Sequence, residues 1–197
     1  AGAGSIILDL GSTKGEICAG MDRLPPHLQP LGGHPMCGRE VGGFAAAQAD
    51  LYVGKTFALC PLTRTSPSAV DVAREMAEAA GSTVRVLSPE AHDRAVAAIS
   101  HLPYLVAAAL VSTVEDGGSP LAWDLAASGF RDTTRVAASE VDMMLDIVMT
   151  NRQAILDWLS RYGRQLDALA TALELGDEAG LHGLLSAVQG RRRNLRL

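Results

Sequence analysis

Cysteine is scarce in this chain. Cys18, Cys37 and Cys60 are the full complement, and no two of them form a CxxC pair. The odd count and the spacing argue against a disulfide framework and a zinc site, and they fit a reducing cytosol. Long apolar runs are also missing. None approaches the ~18 residues of a membrane span, and no secretory leader is expected. Basic charge is not in excess. The net charge is −5 and the single basic run, Arg191-Arg192-Arg193 with Arg196, closes the chain, so no nucleic-acid surface is expected. A GxGxxG turn, the usual opening of a dinucleotide-binding sheet, occurs nowhere. The initial AGAGS holds a GxG, but it precedes a strand instead of following one.

What is present suffices for one sizeable domain or two small ones: 197 residues, 48% hydrophobic and 20% charged. That composition is not that of a disordered chain. The pattern changes near residue 88. Before it, SIILDL (5–10), TFALCPL (56–62) and TVRVL (83–87) read as strands. SPSAVDVAREMAEAAG (66–81) reads as a helix between the last two. Pro67 sits in its first turn, Val70, Ala73, Met76, Ala77 and Ala80 share a face, and Gly81 ends it. Strand, helix, strand at this spacing is a βαβ unit of a parallel sheet.

After residue 88 the reading is helical almost throughout. Ser88 and Pro89 open a helix to about residue 116, with Ala95, Ile99, Leu102, Val106, Leu110 and Val114 as its stripe. Pro103 is expected to kink it. A second long helix is expected from near Ser139, broken at Gly163, and a shorter one over 177–189. The expected fold is therefore α/β followed by all-α. Residues 1–88 form a partial Rossmann-like, parallel-sheet domain and residues 89–197 a helical domain. Long amphipathic helices in so short a domain call for a partner for their apolar faces, and a homodimer is expected.

Four stretches carry side chains suited to chemistry. In GGHPMCGREVGG (32–43), His34 stands in a glycine-rich connection whose Gly32, Gly33 and Gly38 permit close backbone approach and unusual φ. In DLGSTK (9–14), Ser12 follows a strand directly, at the carboxyl edge where open α/β sheets bind ligands, and Ser12 or Thr13 can cap a helix there. His92, His101 and Tyr104 fall on one helix. His92 and His101 are nine apart, close to 180° around an ideal helix, so they do not bind one metal, and no metal site is expected. GFRDTTR (129–135) places Arg131, Asp132 and Arg135 in a turn, as an exposed ion-pair cluster or an arginine fork for a carboxylate.

Taken in order, DLGSTK, GGHPMCGRE, CPLTRT, HDRAVAAISHLP and GFRDTTRVA resemble the prephenate and arogenate dehydrogenase family of tyrosine biosynthesis. The resemblance runs from residue 5 to about residue 150; the later helices match the family's dimerisation region in pattern. It implies a cytoplasmic homodimer that uses NAD or NADP for oxidative decarboxylation of prephenate or arogenate. Hydride leaves C4 of the cyclohexadienyl ring, the C4 hydroxyl loses its proton, CO2 departs and the ring becomes aromatic. Histidine, with an ordinary pKa of ~6.5, suits the base.

By resemblance, His34 is the catalytic histidine and Ser12 the serine beside the hydroxyl and the nicotinamide. Gly33 and Pro35 are further cofactor positions. Arg135 binds the substrate carboxylate. Glu40, Arg131 and Asp132 form an ionic network at the pocket mouth, and His101 supports the pocket. The sequence departs from the family at three points. Tyr104 stands where many members have a second histidine, Met144 stands where a tryptophan is common, and the GxGxxG half is not in the sequence. The competing expectation is a truncated paralogue that dimerises through its helices and binds no cofactor.

Overall fold

The structure, a computed structural model, describes residues 2–38 and 47–195. Four strands form one sheet in the order β1 (Ile6–Asp9), β2 (Gln29–Pro35), β3 (Thr56–Pro61), β4 (Thr83–Val86). The outer pairs β1/β2 and β3/β4 are parallel, as a βαβ reading requires, but the middle pair β2/β3 is antiparallel, so the sheet is mixed. The first strand turns into helix α1 (Gly15–Met21), and α2 (Pro67–Ala79) joins β3 to β4.

Strand β2 is the element the sequence did not announce. Its seven residues, QPLGGHP, include two prolines and two glycines, all poor strand formers. The chain is extended there because β2 is paired on both sides, with Asp9 opposite Gly32 on one and Ala58 opposite His34 on the other. His34 is therefore the penultimate residue of a strand and does not hang in a loop. Residues of CPLTRT hold the approach to β2. Arg64 donates to the carbonyls of Met21, Leu24, Pro25 and Leu28, and the Thr65 hydroxyl to that of Pro30.

The core lies between the sheet and α2. Leu31, Phe57, Leu59 and Val84 pack under Ala73 and Ala77. Alanine on the inward face lets the helix approach closely. The Ser66 hydroxyl accepts from Ala69 N to cap α2, with Pro67 in the first turn, and Gly81 (φ +87°) turns the chain into β4.

Beyond β4 only helices follow. Helix α3 (Pro89–Val96), capped by Ser88, runs into a π turn (Ala97–His101) and then α4 (Leu102–Asp116). Pro103 has no N–H to donate, and the wide turn before it is a local answer to that loss. The turn also shifts the inward face. Ala95 and Ile99 are exposed, whereas His92, Asp93, Val96, Ala97 and His101 are buried, so the expected apolar stripe is not the core face here. The 28 residues Pro89–Asp116 are, by length and composition alone, long and apolar enough to cross a membrane; this corrects the expectation that no such run exists.

Short helices α5 (Pro120–Asp124) and α6 (Ser128–Thr134) lead into a 3-10 turn (Arg135–Ala138) packed on α4, then α7 (Val141–Thr150) and α8 (Arg152–Glu174). GFRDTTR is thus mostly helical and not an open turn. The second long helix breaks at Asn151, and α8 continues through Gly163. Two compact units are present, Ala1–Ile155 and Leu156–Leu197. In the second, α8 ends at Glu174, Gly176 (φ +62°) turns the chain, and α9 (Glu178–Asn194) begins under an Asp177 cap.

Candidate active site

The carboxyl ends of β1 and β2 lie side by side. Asp9 pairs with Gly32, so Ser12 follows three residues beyond one strand position and His34 two beyond the other, at the same edge of the sheet. Gly32 and Gly33 make this closeness possible. A Cβ on Gly33 would stand 2.8 Å from the Asp9 carbonyl and 2.9 Å from Leu8 Cδ1, and one on Gly32 2.7 Å from Cys18 Sγ. Neither glycine has positive φ. Their lack of side chains serves contact within the protein, which corrects the expectation of unusual backbone angles.

A buried lysine ties the two strand ends together. Lys14 is fully buried; its Nζ donates to the Asp9 carboxylate and, at 2.7 Å, to the Gly33 carbonyl. Helix α1 starts just after it, and neither Ser12 nor Thr13 caps that helix. The cap comes from α3: the Asp93 carboxylate accepts from Lys14 N and Gly15 N, both at 2.8 Å. Gly15 admits this approach, since a Cβ there would lie 3.0 Å from Asp93 Oδ2.

The same carboxylate holds His92. Asp93 Oδ1 lies 2.7 Å from His92 Nδ1, and His92 Nε2 lies 2.8 Å from His34 Nδ1. The rings of His34 and His92 meet edge to face, 5.0 Å between centroids. Asn151, at the break between α7 and α8, donates to the Asp93 carbonyl at 2.8 Å and lies 3.3 Å from His101 Nδ1. His92 and His101, expected on opposite sides of one helix, are both only 2% exposed, because the π turn between them departs from the ideal helical angle.

Electrostatics follow from this packing. Burial, aided by His92, Lys14 and His101, lowers the pKa of His34 to about 4. Burial likewise lowers His101 to about 4. Burial pushes the Asp93 carboxyl upward, but its hydrogen bonds from His92, Gly15 and Lys14 outweigh that and leave it below its ordinary value. The site at neutral pH is therefore a neutral His34 backed by an anionic Asp93. Cys18 and Cys60 are not nucleophiles, since burial raises Cys18 to about 11 and Cys60 to about 12.

Ser12 lines a separate cleft of about 310 Å3 with Thr13 and, from α7, Met143, Asp146, Ile147 and Thr150. The Thr13 and Thr150 hydroxyls meet at 2.9 Å across it. Tyr104 is half-buried in the first turn of α4, and Arg135 opens the 3-10 turn that packs on that helix. Arg131 and Asp132 form an exposed ion pair at 3.1 Å, the plainer of the two expectations for them. Gly33 is buried and Pro35 ends β2. Glu40 lies outside the described residues. Asp9, Lys14, Asp93 and Asn151 were not singled out from the sequence. From sequence His92 is one helical histidine among others, although its adjacency to Asp93 is plain there. No group of three or more His, Cys, Asp or Glu suited to a metal occurs among the described residues.

Known proteins give this geometry a context. Residues 2–86 match the family model "Prephenate dehydrogenase, nucleotide-binding domain" and residues 88–187 match "Prephenate dehydrogenase, dimerization domain". The chain is 35% identical to a prephenate dehydrogenase of Bacillus subtilis over 98% of its length and 53% of that protein's. It is 34% identical to a cyclohexadienyl dehydrogenase of Zymomonas mobilis, over 87% of the chain and 60% of that enzyme. The chain thus spans about half the length of the curated relatives it matches. Among solved structures, prephenate dehydrogenase from A. aeolicus in complex with hydroxyphenyl propionate and NAD+ superposes with a TM-score of 0.89 at 29% identity, covering 97% of this chain and 67% of that one. Synechocystis arogenate dehydrogenase gives 0.83 at 33% identity, covering 95% and 68%.

Proposed function

The chain belongs to the prephenate dehydrogenase family, and from that premise we propose that it carries the catalytic edge and helical part of an NAD(P)-dependent dehydrogenase acting on prephenate or arogenate. Residues 1–88 are the later part of the nucleotide-binding domain and residues 89–197 the substrate and dimerisation domain. The observation that carries this reading is the state of His34. It sits at the carboxyl edge beside the Ser12 loop, neutral, with Nδ1 engaged by His92 and no described residue bonded to Nε2. A neutral imidazole at a ligand-binding edge, with Nε2 bonded by no described residue, is suited to act as a general base.

The residues fit a nicotinamide. The Ser12 cleft offers the Ser12, Thr13 and Thr150 hydroxyls and the Asp146 carboxylate together with the apolar Met143 and Ile147, which suits a flat ring bearing an amide. Ser12 would hold it there; Gly33 and Pro35 are cofactor positions by the resemblance alone, since neither lines this cleft. When bound it supplies the hydride acceptor. Among the chain's own groups, His34 Nε2 takes the proton of the substrate hydroxyl and Ser12 orients that hydroxyl. Arg135 holds the ring carboxylate as a planar double donor. Tyr104 and His101 shape the far wall, with Arg131 and Asp132 at the mouth.

A homodimer is supported by helix α7, which leaves Val141, Met143, Leu145 and Met149 exposed. A cytoplasmic location belongs to the same reading. The test is absorbance of reduced nicotinamide with prephenate and arogenate, each with NAD and NADP. Signal with at least one combination is expected, and it identifies substrate and cofactor together. Silence with all four contradicts the reading.

A further inference from the structure

The contacts around His92 decide where its protons are. The Asp93 carboxylate already accepts from two backbone N–H groups and is anionic, so it can only accept from His92 Nδ1. His92 Nδ1 therefore carries a proton. In the neutral ring Nε2 is then an acceptor, and the hydrogen of the 2.8 Å contact belongs to His34 Nδ1. That leaves the lone pair of His34 on Nε2. One carboxylate thereby caps α1, which follows the Ser12 loop, and sets the tautomer of His34 two groups away.

This chain of bonds has a second consequence. A proton arriving at His34 Nε2 puts positive charge on a half-buried ring already facing Lys14 at the start of α1 and His101 in the π turn, with Asp9 of β1 as the opposing charge. Behind His34, by contrast, His92 is in direct contact with the Asp93 carboxylate. The charge is better placed one ring further back.

We infer that His92 and Asp93 form the rear of a proton relay, in which His92 and not His34 holds the charge. The inference presupposes that His34 is the proton acceptor of the proposed reaction. The substrate O–H bond breaks and its proton goes to His34 Nε2. The Nδ1–H bond of His34 breaks and that proton goes to His92 Nε2. His92 is then an imidazolium held by Asp93, while His34 is neutral with the opposite tautomer. The hydride and its electron pair go to the nicotinamide. When the ring–CO2 bond breaks and its electron pair makes the ring aromatic, the His34 Nε2 proton returns to the phenolate oxygen and the His92 Nε2 proton returns to His34 Nδ1, which resets the pair with no net proton released. His92 is here a positioning residue, since it acts through His34.

The test is 15N NMR of the histidine-labelled chain, which has only five histidines. At neutral pH, His34 and His92 are both expected as Nδ1–H tautomers. On acidification, His92 gains its second proton while His34 changes from the Nδ1–H to the Nε2–H form and stays neutral. A His34 that itself becomes the imidazolium beside a neutral His92, or that starts as the Nε2–H tautomer, overturns the relay. The kinetic counterpart is His92→Gln, expected to lower kcat by about tenfold or more with KM nearly unchanged; an unaltered kcat overturns it. NMR needs no substrate, so an inactive chain that shows the tautomer exchange contradicts the reaction and upholds the relay.

Discussion

His34 and His92 lie 58 residues apart in sequence and 2.8 Å apart in space, Nδ1 to Nε2. One is the penultimate residue of a strand and the other lies in the first half of a helix. Their contact joins the sheet to the helical part of the fold, and most of the behaviour expected of the site follows from how each ring is held.

Acid should weaken the fold through the buried His101 ring. Its folded pKa is about 4, below the ordinary 6.5. The unfolded chain therefore binds more protons than the folded one as pH falls below 6.5, and the stability present above that value is lost progressively down to about 4. Thermal unfolding followed by circular dichroism should show Tm flat above pH 7 and falling between 6.5 and 4. A Tm that rises over that interval contradicts the burial of a neutral ring.

Lys14→Met should be severe. It removes the ammonium that satisfies the Asp9 carboxylate and the Gly33 carbonyl. Breaking a buried pair from one side costs roughly 3 kcal/mol. Denaturant unfolding should show that loss, and Asp9→Asn in the same chain should restore part of it. Additive losses contradict a coupled pair.

Gly33→Ala tests the tight junction of β1 and β2. The new methyl meets the Asp9 carbonyl, which is backbone and cannot step aside. A cost of about 1–3 kcal/mol is expected from overpacking, with a lower denaturation midpoint and reduced turnover, since His34 is the next residue. An unchanged midpoint contradicts the close approach.

How much of this could be read beforehand differs from element to element. The 66–81 helix and its flanking strands were legible because apolar spacing, Ser66, Pro67 and Gly81 all agree. Strand β2 was not, because its glycines and prolines speak against a strand and only pairing on both sides overrides them. The stripe Ala95–Ile99–Leu102 misled for a related reason: the inward face of that helix is occupied by His92, Asp93 and His101, and the π turn displaces the period. Lys14 and Asp93 stayed hidden because charged residues are rarely buried, and nothing in the order of residues says that 93 caps 15. His34 was legible as a candidate by its glycine setting, though those glycines serve packing.

Arg135→Ala should act on binding. If Arg135 grips the substrate carboxylate, its loss raises KM by roughly 10- to 100-fold, the scale of a lost charged hydrogen bond of about 1.5–3 kcal/mol. Steady-state kinetics over a range of substrate concentrations measures it. An unchanged KM removes Arg135 from the site.

The central claim is that His34 accepts the proton of the reaction, and the most direct measurement is turnover of His34→Asn beside the unaltered chain, read at the reduced-nicotinamide band. Asparagine keeps a polar group of similar reach but cannot serve as a base at neutral pH. The account predicts a fall in kcat of about 10²- to 10⁴-fold with substrate KM nearly unchanged. Turnover equal to that of the unaltered chain would contradict it.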